Sequence, residues 1–299
     1  MKKLEFNEFV GEVAGTIREY LPESYCDAHI SVDKVVKNNN LKLTGLTIRS
    51  VDSNICPTIY LEQFYRDYQK GKDIEDILSQ IAAIRVKHAS KQPFEADFIT
   101  DFENVKEKII PRLIGARWNK HILCDRPYRM VNDLAVTYHI DMGDRDFNNH
   151  ATIPVTNRIF KLWDIDVDTL HDQAVFNMIQ HIPSSLMSMG QAIGEMTGES
   201  FEDDTMFVLS NKAKMFGATA LLDTAMMKSI VDRFGGIYIL PSSIHEVLII
   251  KATADFAVTQ LEDMVRGVNA DVVAPEDRLS DHVYSYSVEK GLFSIESRG

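Results

Sequence analysis

A short polar segment between two apolar runs carries the residues best suited to chemistry. It contains Ser242, Ser243, His245 and Glu246. A hydroxyl, an imidazole and a carboxylate are the groups used in general acid–base and nucleophilic catalysis. Neighbours along a strand point to opposite faces, however, and residues 247–249 lack the second histidine of an HExxH zinc helix. Ser243, His245 and Glu246 are therefore candidate catalytic residues, and the competing interpretation is a hydrogen-bonded turn that fixes strand register.

Asp281 and His282 form a second candidate, together with Glu276 and Asp277. If the end of the chain packs beside the first turn, His245, His282 and Asp281 converge on one metal ion. Two histidines and a carboxylate are a suitable ligand set for zinc or iron. Asp281 and His282 are thus candidate catalytic residues as well as metal ligands. The competing interpretation is a serine–aspartate capping or turn pair.

The stretch from His139 to His150 concentrates aspartate, asparagine and histidine side chains that could bind a hard cation. It does not match an EF-hand, because His150 stands where the closing glutamate is required. Asp, Asn and Gly are also the ordinary residues of a loop between strands. A solvated connection is the favoured interpretation.

The elements that must position these residues follow an α+β order. Apolar residues at three- and four-residue steps predict an amphipathic helix from Phe6 to Tyr20. Asparagines at 38–40 predict a β-hairpin between two β-rich runs, since asparagine tolerates the left-handed conformation of a tight turn. A second hairpin is expected at the end, from Val283 to Ile295. Other predicted elements are a helix over Phe102–Leu113 and strands over Ala116–Cys124, Leu134–Met142 and Ala218–Leu222.

This order predicts the α+β class, with mixed or antiparallel sheets, flanking helices, an N-terminal amphipathic helix and a C-terminal β-hairpin. The 299 residues carry a net charge of −12, and almost all of the acidity follows residue 130. We therefore expect an N-terminal α+β module over residues 1–130 and an acidic α+β module over residues 131–299, unless the two form one continuous domain.

The composition limits which classes of partner the protein is expected to bind and which cellular compartment it is expected to occupy. A chain of this acidity, without a basic stripe, is not expected to bind nucleic acid. No apolar run reaches membrane-spanning length, and the first residues do not resemble a signal peptide. Cys26, Cys56 and Cys124 form no CxxC pair, which favours buried, reduced thiols in a cytoplasmic protein. A protein or small-molecule partner is compatible with this composition.

Several strings of the sequence are similar to a known family. They include residues 59–65 (IYLEQFY), the phrase Leu209-Ser210-Asn211-Lys212, the turn around Gly217, residues 239–247 (ILPSSIHEV), residues 274–276 (APE) and residues 279–284 (LSDHVY). Together they resemble domain-of-unknown-function family 5688, which comes from gut-dwelling Gram-positive bacteria. The resemblance spans nearly the whole chain and implies no reaction, cofactor or partner.

The sequence thus favours a binding or accessory module. It contains no phosphate-binding P-loop, no GxGxxG and no GxSxG motif. The alternative is a metal-dependent hydrolase that uses His245, Glu246 and His282. The residues alone do not decide whether the protein is an enzyme or which cofactor it would use.

Overall fold

The computed structural model describes residues 3–51, 56–88, 96–143, 152–198, 205–252 and 256–295. Its internal contacts define two compact units, which consist of residues 1–37 with 41–96 and of residues 38–40 with 97–299. Residues 97–130 therefore belong to the same unit as the strands that follow them. The boundary predicted near residue 130 would separate two domains that fold independently. It stays a prediction.

Unit 1 packs three helices against a small antiparallel sheet of order β1-β2-β3. The amphipathic stripe of the first helix buries Phe9 and Val13 fully, together with Ile17 just beyond its end. These side chains join one apolar core with residues from the sheet and from the other two helices. The elements are α1 (Phe6–Thr16), β1 (His29–Val36), β2 (Lys42–Arg49), β3 (Thr58–Tyr60), α2 (Leu61–Gln69) and α3 (Ile74–Lys87).

The hairpin between β1 and β2 confirms the sequence expectation. Its strands pair antiparallel, with Val36 opposite Lys42. Asn39 and Asn40 have φ angles of 59° and 60°, which is the left-handed region that asparagine adopts more readily than most residues. The asparagine run therefore marks the turn for a conformational reason.

Unit 2 contains two antiparallel sheets. The elements are α4 (Phe102–Val105), β4 (Ile109–Gly115), α5 (Lys120–Leu123), β5 (Tyr128–Val131), β6 (Leu134–Asp141), β7 (Thr152–Pro154), α6 (Asn157–Phe160), α7 (Val167–His181), β8 (Ser184–Ser188), α8 (Met189–Thr197), β9 (Met206–Asn211), α9 (Thr224–Phe234), β10 (Ile237–Leu240), β11 (Val247–Lys251), α10 (Val258–Asp271), β12 (Val283–Ser287) and β13 (Gly291–Ile295).

In the smaller sheet β6 is central, with β4 on one side and β5 and β7 on the other. The larger sheet has the order β13-β12-β10-β11-β9-β8. Side chains from β4, β6, α7, α9 and the larger sheet form the main core of unit 2. A second cluster, formed by Leu240, Ile250, Leu261, Val265 and Val283, packs α10 against the larger sheet. The predicted C-terminal hairpin is present as β12 and β13.

Three predicted elements are wrong. The helix expected over Phe102–Leu113 ends at Val105, and β4 follows from Ile109. Its Pro111 is tolerated because β4 lies at an edge of its sheet. The strand expected over Ala116–Cys124 is replaced by turns and the short helix α5. The strand expected over Ala218–Leu222 is part of a buried 3₁₀ segment, whose alanines and leucines lack the β-branching that favours strands.

The cysteines also differ from expectation. Cys26 and Cys124 are exposed, Cys56 is partly buried, and all three are free thiols. Burial raises the pKa of the Cys56 thiol. Within the described ranges, no helix has both the length and the hydropathy needed to cross a bilayer.

Candidate functional site

The predicted turn is held by hydrogen bonds that occupy both ring nitrogens of His245. The backbone N–H of Phe216 donates to His245 Nδ1 (3.2 Å), and His245 Nε2 lies 3.3 Å from Asp277 Oδ1. The ring therefore accepts at Nδ1 and donates from Nε2, which fixes its tautomer. Ser243 Oγ accepts from the backbone N–H of His245 (3.0 Å) rather than from the ring. In this arrangement His245 has no free nitrogen with which to activate a nucleophile.

Glu246 is exposed. It lines an open groove of about 440 Å³ together with Ser243 and Asp277. The opposite wall is apolar and includes Val268 and Val272 from the end of α10 and beyond. The structure thus places Ser243 and Glu246 on one groove without an imidazole nitrogen available between them.

Asp281 and His282 belong to a second network, which is centred on Asp133. His282 Nδ1 lies 2.8 Å from Asp133 Oδ2, and the Tyr284 hydroxyl donates to Asp133 Oδ1 (2.6 Å). Burial and the adjacent Asp133 carboxylate raise the pKa of Tyr284 far above its usual value, so the phenol stays protonated. Asp281 Oδ1 accepts from Asn269 Nδ2 (2.7 Å). These bonds tie the start of β12 to the connection between β5 and β6.

The two segments do pack side by side, because the backbone N–H groups of Leu279 and Ser280 donate to the carbonyls of Ser242 and Pro241. In the described part of the chain, however, no side-chain hydrogen bond or ion pair joins the His245 ring to Asp133, Asp281 or His282. Among the described residues, no three His, Cys, Asp or Glu side chains are grouped as metal ligands. The metal-hydrolase alternative therefore has no support there. In the stretch from His139 to His150, residues 144–150 lie outside the described residues. Before them, Asp141 Oδ1 accepts from the backbone N–H of Gly143 (2.9 Å), which is typical of a turn.

Replacing His245 by alanine is expected to lower the free energy of unfolding of unit 2 by about 1–3 kcal/mol, because the Phe216 amide loses its acceptor. Urea unfolding followed by the fluorescence of Trp118 and Trp163, both in unit 2, measures this change. His121→Ala removes an exposed imidazole and serves as the control. A His245→Ala protein of unchanged stability that has lost a bound metal would contradict the structural role.

A polar group that the sequence did not single out lies on one face of the smaller sheet. The register of β4 and β6 places Arg112 opposite Thr137, and Ile110 opposite His139. Because side chains alternate along a strand, Arg112 and His139 share that face. Strand β6 is buried on both faces, so these polar side chains are enclosed rather than solvated.

The guanidinium groups of Arg112 and Arg126 lack acceptors. Neither forms a hydrogen bond or ion pair with any residue in the described ranges, and Arg112 Nε is buried. Burial and the positive charge of Arg126 lower the pKa of Arg112 to about 10, so Arg112 remains protonated at neutral pH. The carboxylate of Asp277 opposes this shift from a distance. The Nε of Arg112 is enclosed without an acceptor among the described residues, which costs free energy that a bound anion would recover.

His139 adds a neutral ring to the same face. Burial, and then the charges of Arg112 and Arg126, lower its pKa well below 6.5. His139 Nδ1 lies 3.3 Å from Thr152 Oγ1, whereas Nε2 is buried and has no hydrogen-bond partner among the described residues. Arg112, Arg126 and His139, called here the donor cluster, therefore present guanidinium N–H groups and one ring nitrogen that have no hydrogen-bond partner among the described residues. What such a cluster lacks is an anion.

Phe216 connects the donor cluster with the predicted turn. Its ring centroid lies 4.4 Å from Arg112 Cζ, and it stacks on the His245 ring with 5.5 Å between centroids. Its φ angle of 52° is left-handed, a conformation that costs a bulky residue about 1–2 kcal/mol. The bond from its N–H to His245 holds this conformation. The turn thus supports the ring that covers Arg112.

A cavity of about 230 Å³ lies at the edge of β4, beside the end of α7. Most of its wall is apolar, and polar groups of Lys212, Asn211 and Thr219 reach it. The lining residues are Ile110, Pro111, Asp141, Met178, His181, Ile182, Pro183, Asn211, Lys212, Ala213, Met215, Phe216 and Thr219. A concave, mostly apolar site with a few polar groups is typical of small-molecule binding.

One sequence signal could have found the donor cluster. Arg112 interrupts an otherwise apolar run, Ile109 to Ile114, and His139 stands in a strand that the sequence places correctly, although all eight of its residues are buried. A charged residue within a buried strand is informative because charged side chains are rarely buried without a partner. The pairing of β4 with β6, which brings the two together, is a long-range feature that the local pattern does not contain.

Comparison with known protein families gives a match over most of the sequence. The sequence model of a family described as a family of unknown function (DUF5688) matches residues 6–288, which is nearly the whole chain. No curated protein and no solved structure matches it.

Proposed function

The chain belongs to the DUF5688 family, and we propose that it is a binding module whose ligand presents an anionic oxygen group to Arg112, Arg126 and His139. The observation that carries this proposal is the unpartnered donor cluster. Arg112 Nε and His139 Nε2 are both buried on one face of one sheet, and neither has a hydrogen-bond partner among the described residues. In the proposed site, His139 donates from Nε2. A carboxylate, sulfate or phosphate would satisfy these donors and offset the two positive charges.

Binding, rather than catalysis, is supported by what surrounds the cluster. The nearby imidazole of His245 is fully engaged by Phe216 and Asp277, and His139 is neutral and enclosed. The Thr152 hydroxyl lies 3.3 Å from His139 Nδ1, and this contact orients the enclosed ring. The arginines supply charge and geometry for recognition, which is what an anion-binding site requires.

Replacing Arg112 by methionine is expected to weaken binding of sulfate and of acetate at least tenfold, since a charge-assisted hydrogen bond contributes about 1.5–3 kcal/mol. Titration calorimetry of the purified chain with each anion measures the loss. Arg129→Met is the matched control, because Arg129 is an exposed arginine on β5 of the same sheet, close to Asp168. It should leave the affinity for both anions unchanged.

Stability separates a binding role from a structural one in the same variant. The enclosed Nε of Arg112 destabilises the free protein, and methionine can replace the contact with the Phe216 ring, so Arg112→Met should leave the melting temperature unchanged or raise it. A structural arginine would behave in the opposite way. Anion affinity that is equal in Arg112→Met and the parent chain, or that is absent from both, would refute the proposed function.

Anion binding should also depend on pH in a predictable direction. His139 is neutral in the free protein because its pKa lies well below 6.5. A bound anion favours the imidazolium and raises that pKa, so the complex takes up protons and affinity rises as the pH falls. Sulfate is the suitable probe, since its charge is constant between about pH 8 and pH 6 while Arg112 stays protonated. His139→Gln should flatten the pH profile of sulfate affinity, whereas a profile unchanged by this substitution would exclude His139 from the site.

A cytoplasmic location is part of the proposal. It is supported by the three free thiols, of which Cys26 and Cys124 are exposed, as is usual in a reducing compartment. Cell fractionation of a tagged form of the protein tests this location.

A further inference from the structure

The cavity at the edge of β4 adjoins the donor cluster. Ile110 lines the cavity and lies two residues before Arg112 on β4, while Asp141 lines it two residues after His139 on β6. Residues two apart on a strand share a face and are separated by about 7 Å. Ile110 is also the direct cross-strand neighbour of His139. Among the described residues, the cavity lining on that face stops two residues short of Arg112 and of His139, so a ligand that occupies both places must pass the Phe216 ring.

Phe216 lies at the junction of the two. Its ring covers the guanidinium of Arg112 and also forms part of the cavity wall. Beyond it, the wall is supplied by apolar side chains such as Met178, Ile182 and Met215. An inorganic anion would gain nothing from contact with this apolar wall. A hydrocarbon chain attached to an anionic group would be buried against it.

We infer that the ligand is an amphiphilic organic acid, with its anionic group at Arg112 and an unbranched aliphatic chain in the cavity. This inference rests on the proposed function, because it places the head group at the donor cluster. It adds the ligand class, since a mostly apolar cavity of about 230 Å³ beside Phe216, whose ring covers Arg112, favours a short aliphatic carboxylate over a sugar phosphate or a free inorganic ion.

Lys212 is the competing anchor for the head group. It lines the cavity, its side chain is exposed, and it forms no ion pair with a described residue. It differs from Arg112 because its ammonium is solvated, so it loses more hydration when it pairs with a ligand. The buried, unpartnered Nε of Arg112 is the reason for placing the anion there.

The test is a calorimetric titration with acetate, butyrate, hexanoate and octanoate. In the parent chain each added methylene should tighten binding about three- to fourfold until the cavity is filled. Arg112→Met should weaken the whole series by one common factor of at least ten and keep its slope. Lys212→Met should change the affinities by less than about twofold, the size of a solvated ion pair.

Ala213→Phe tests the cavity directly. Ala213 lines it on a connecting segment, without a left-handed φ angle, so a larger side chain can be accommodated there. The variant should bind acetate as the parent does, while its affinity no longer rises with chain length. Ala192→Phe, on α8 and outside the cavity lining, is the control and should keep the full slope. Circular dichroism of both variants establishes that they are folded.

The outcomes distinguish the two proposals. Arg112-dependent acetate binding with no dependence on chain length would overturn the inference about the aliphatic chain and leave the anion site intact. A slope that survives Ala213→Phe would likewise place the chain outside this cavity. Affinity lost in Lys212→Met but kept in Arg112→Met would overturn the proposed function, because the head group would then lie away from the donor cluster.

Discussion

Replacing Gly217 by alanine is expected to destabilise unit 2 by about 3 kcal/mol or more. A Cβ atom at this position would lie 2.8 Å from the backbone nitrogen of Asn211, and closer still to Ser210 Oγ and to the carbonyl oxygen of His245. Two of these three atoms belong to the backbone and cannot rotate away. Ser210 Oγ is itself held by a hydrogen bond to the His245 carbonyl (2.8 Å). Relief of the clash therefore requires β9 and the His245 turn to separate.

Gly267→Ala is the matched control for this substitution. Gly267 lies within α10 of the same unit, and an added Cβ would meet no atom within 4 Å. Alanine there should stabilise the helix by about 0.5–1 kcal/mol, because glycine loses more conformational freedom on folding. Urea unfolding followed by tryptophan fluorescence compares both variants with the parent chain. Equal stabilities for all three would show that the close approach at Gly217 is not maintained in solution.

The close approach at Gly217 also explains how the donor cluster is kept covered. Gly217 directly follows Phe216, whose ring lies over Arg112. If the chain moves away from β9 at Gly217, the Phe216 ring moves with it. At a temperature low enough for the Gly217→Ala variant to stay folded, the substitution should therefore weaken sulfate binding even though Gly217 touches no ligand.

Much of the fold could be predicted from the sequence because its signals are local. The asparagines at 38–40 mark a turn through their own backbone preference, and the alternation from Leu134 to Asp141 marks a buried strand. The prediction of a helix around Pro111 is wrong, because a proline is compatible with a strand at a sheet edge, where β4 lies. Whether β4 is an edge strand depends on its partners, which lie more than twenty residues away.

The candidate site was less predictable for the same reason. The sequence predicts a site at His245 and His282, because each stands among other polar residues that are adjacent in the sequence. In the structure, these histidines bind Asp277 and Asp133, which come from other segments. The donor cluster, by contrast, combines Arg112 with His139 through strand pairing alone. The residues next to Arg112 and next to His139 in the sequence give no sign of a binding site. The register of β4 on β6 shows that the two side chains share a face, where Arg112 Nε and His139 Nε2 have no partner among the described residues.

Replacing Phe9 by alanine is expected to lower the free energy of unfolding of unit 1 by about 3–5 kcal/mol. The Phe9 ring is fully buried, and its centroid lies 5.4 Å from the rings of both Tyr65 and Tyr68 on α2. The truncation loses these aromatic contacts and leaves a cavity between α1 and α2. Trp118 and Trp163 both lie in unit 2, so their fluorescence does not report on this change. Hydrogen exchange of the α1 and α2 amides measures it directly.

Phe176→Ala makes the same chemical change at a ring that is 55% exposed on α7, and it serves as the control. Because little apolar area is lost there, its effect should stay within about 1 kcal/mol. The Phe9 variant should speed exchange throughout α1, α2 and the strands that share their core, since one apolar cluster holds all of them. Acceleration limited to the α1 amides would mean that the helix frays alone. Exchange unchanged from the parent chain would mean that the stripe of α1 contributes no stability to unit 1.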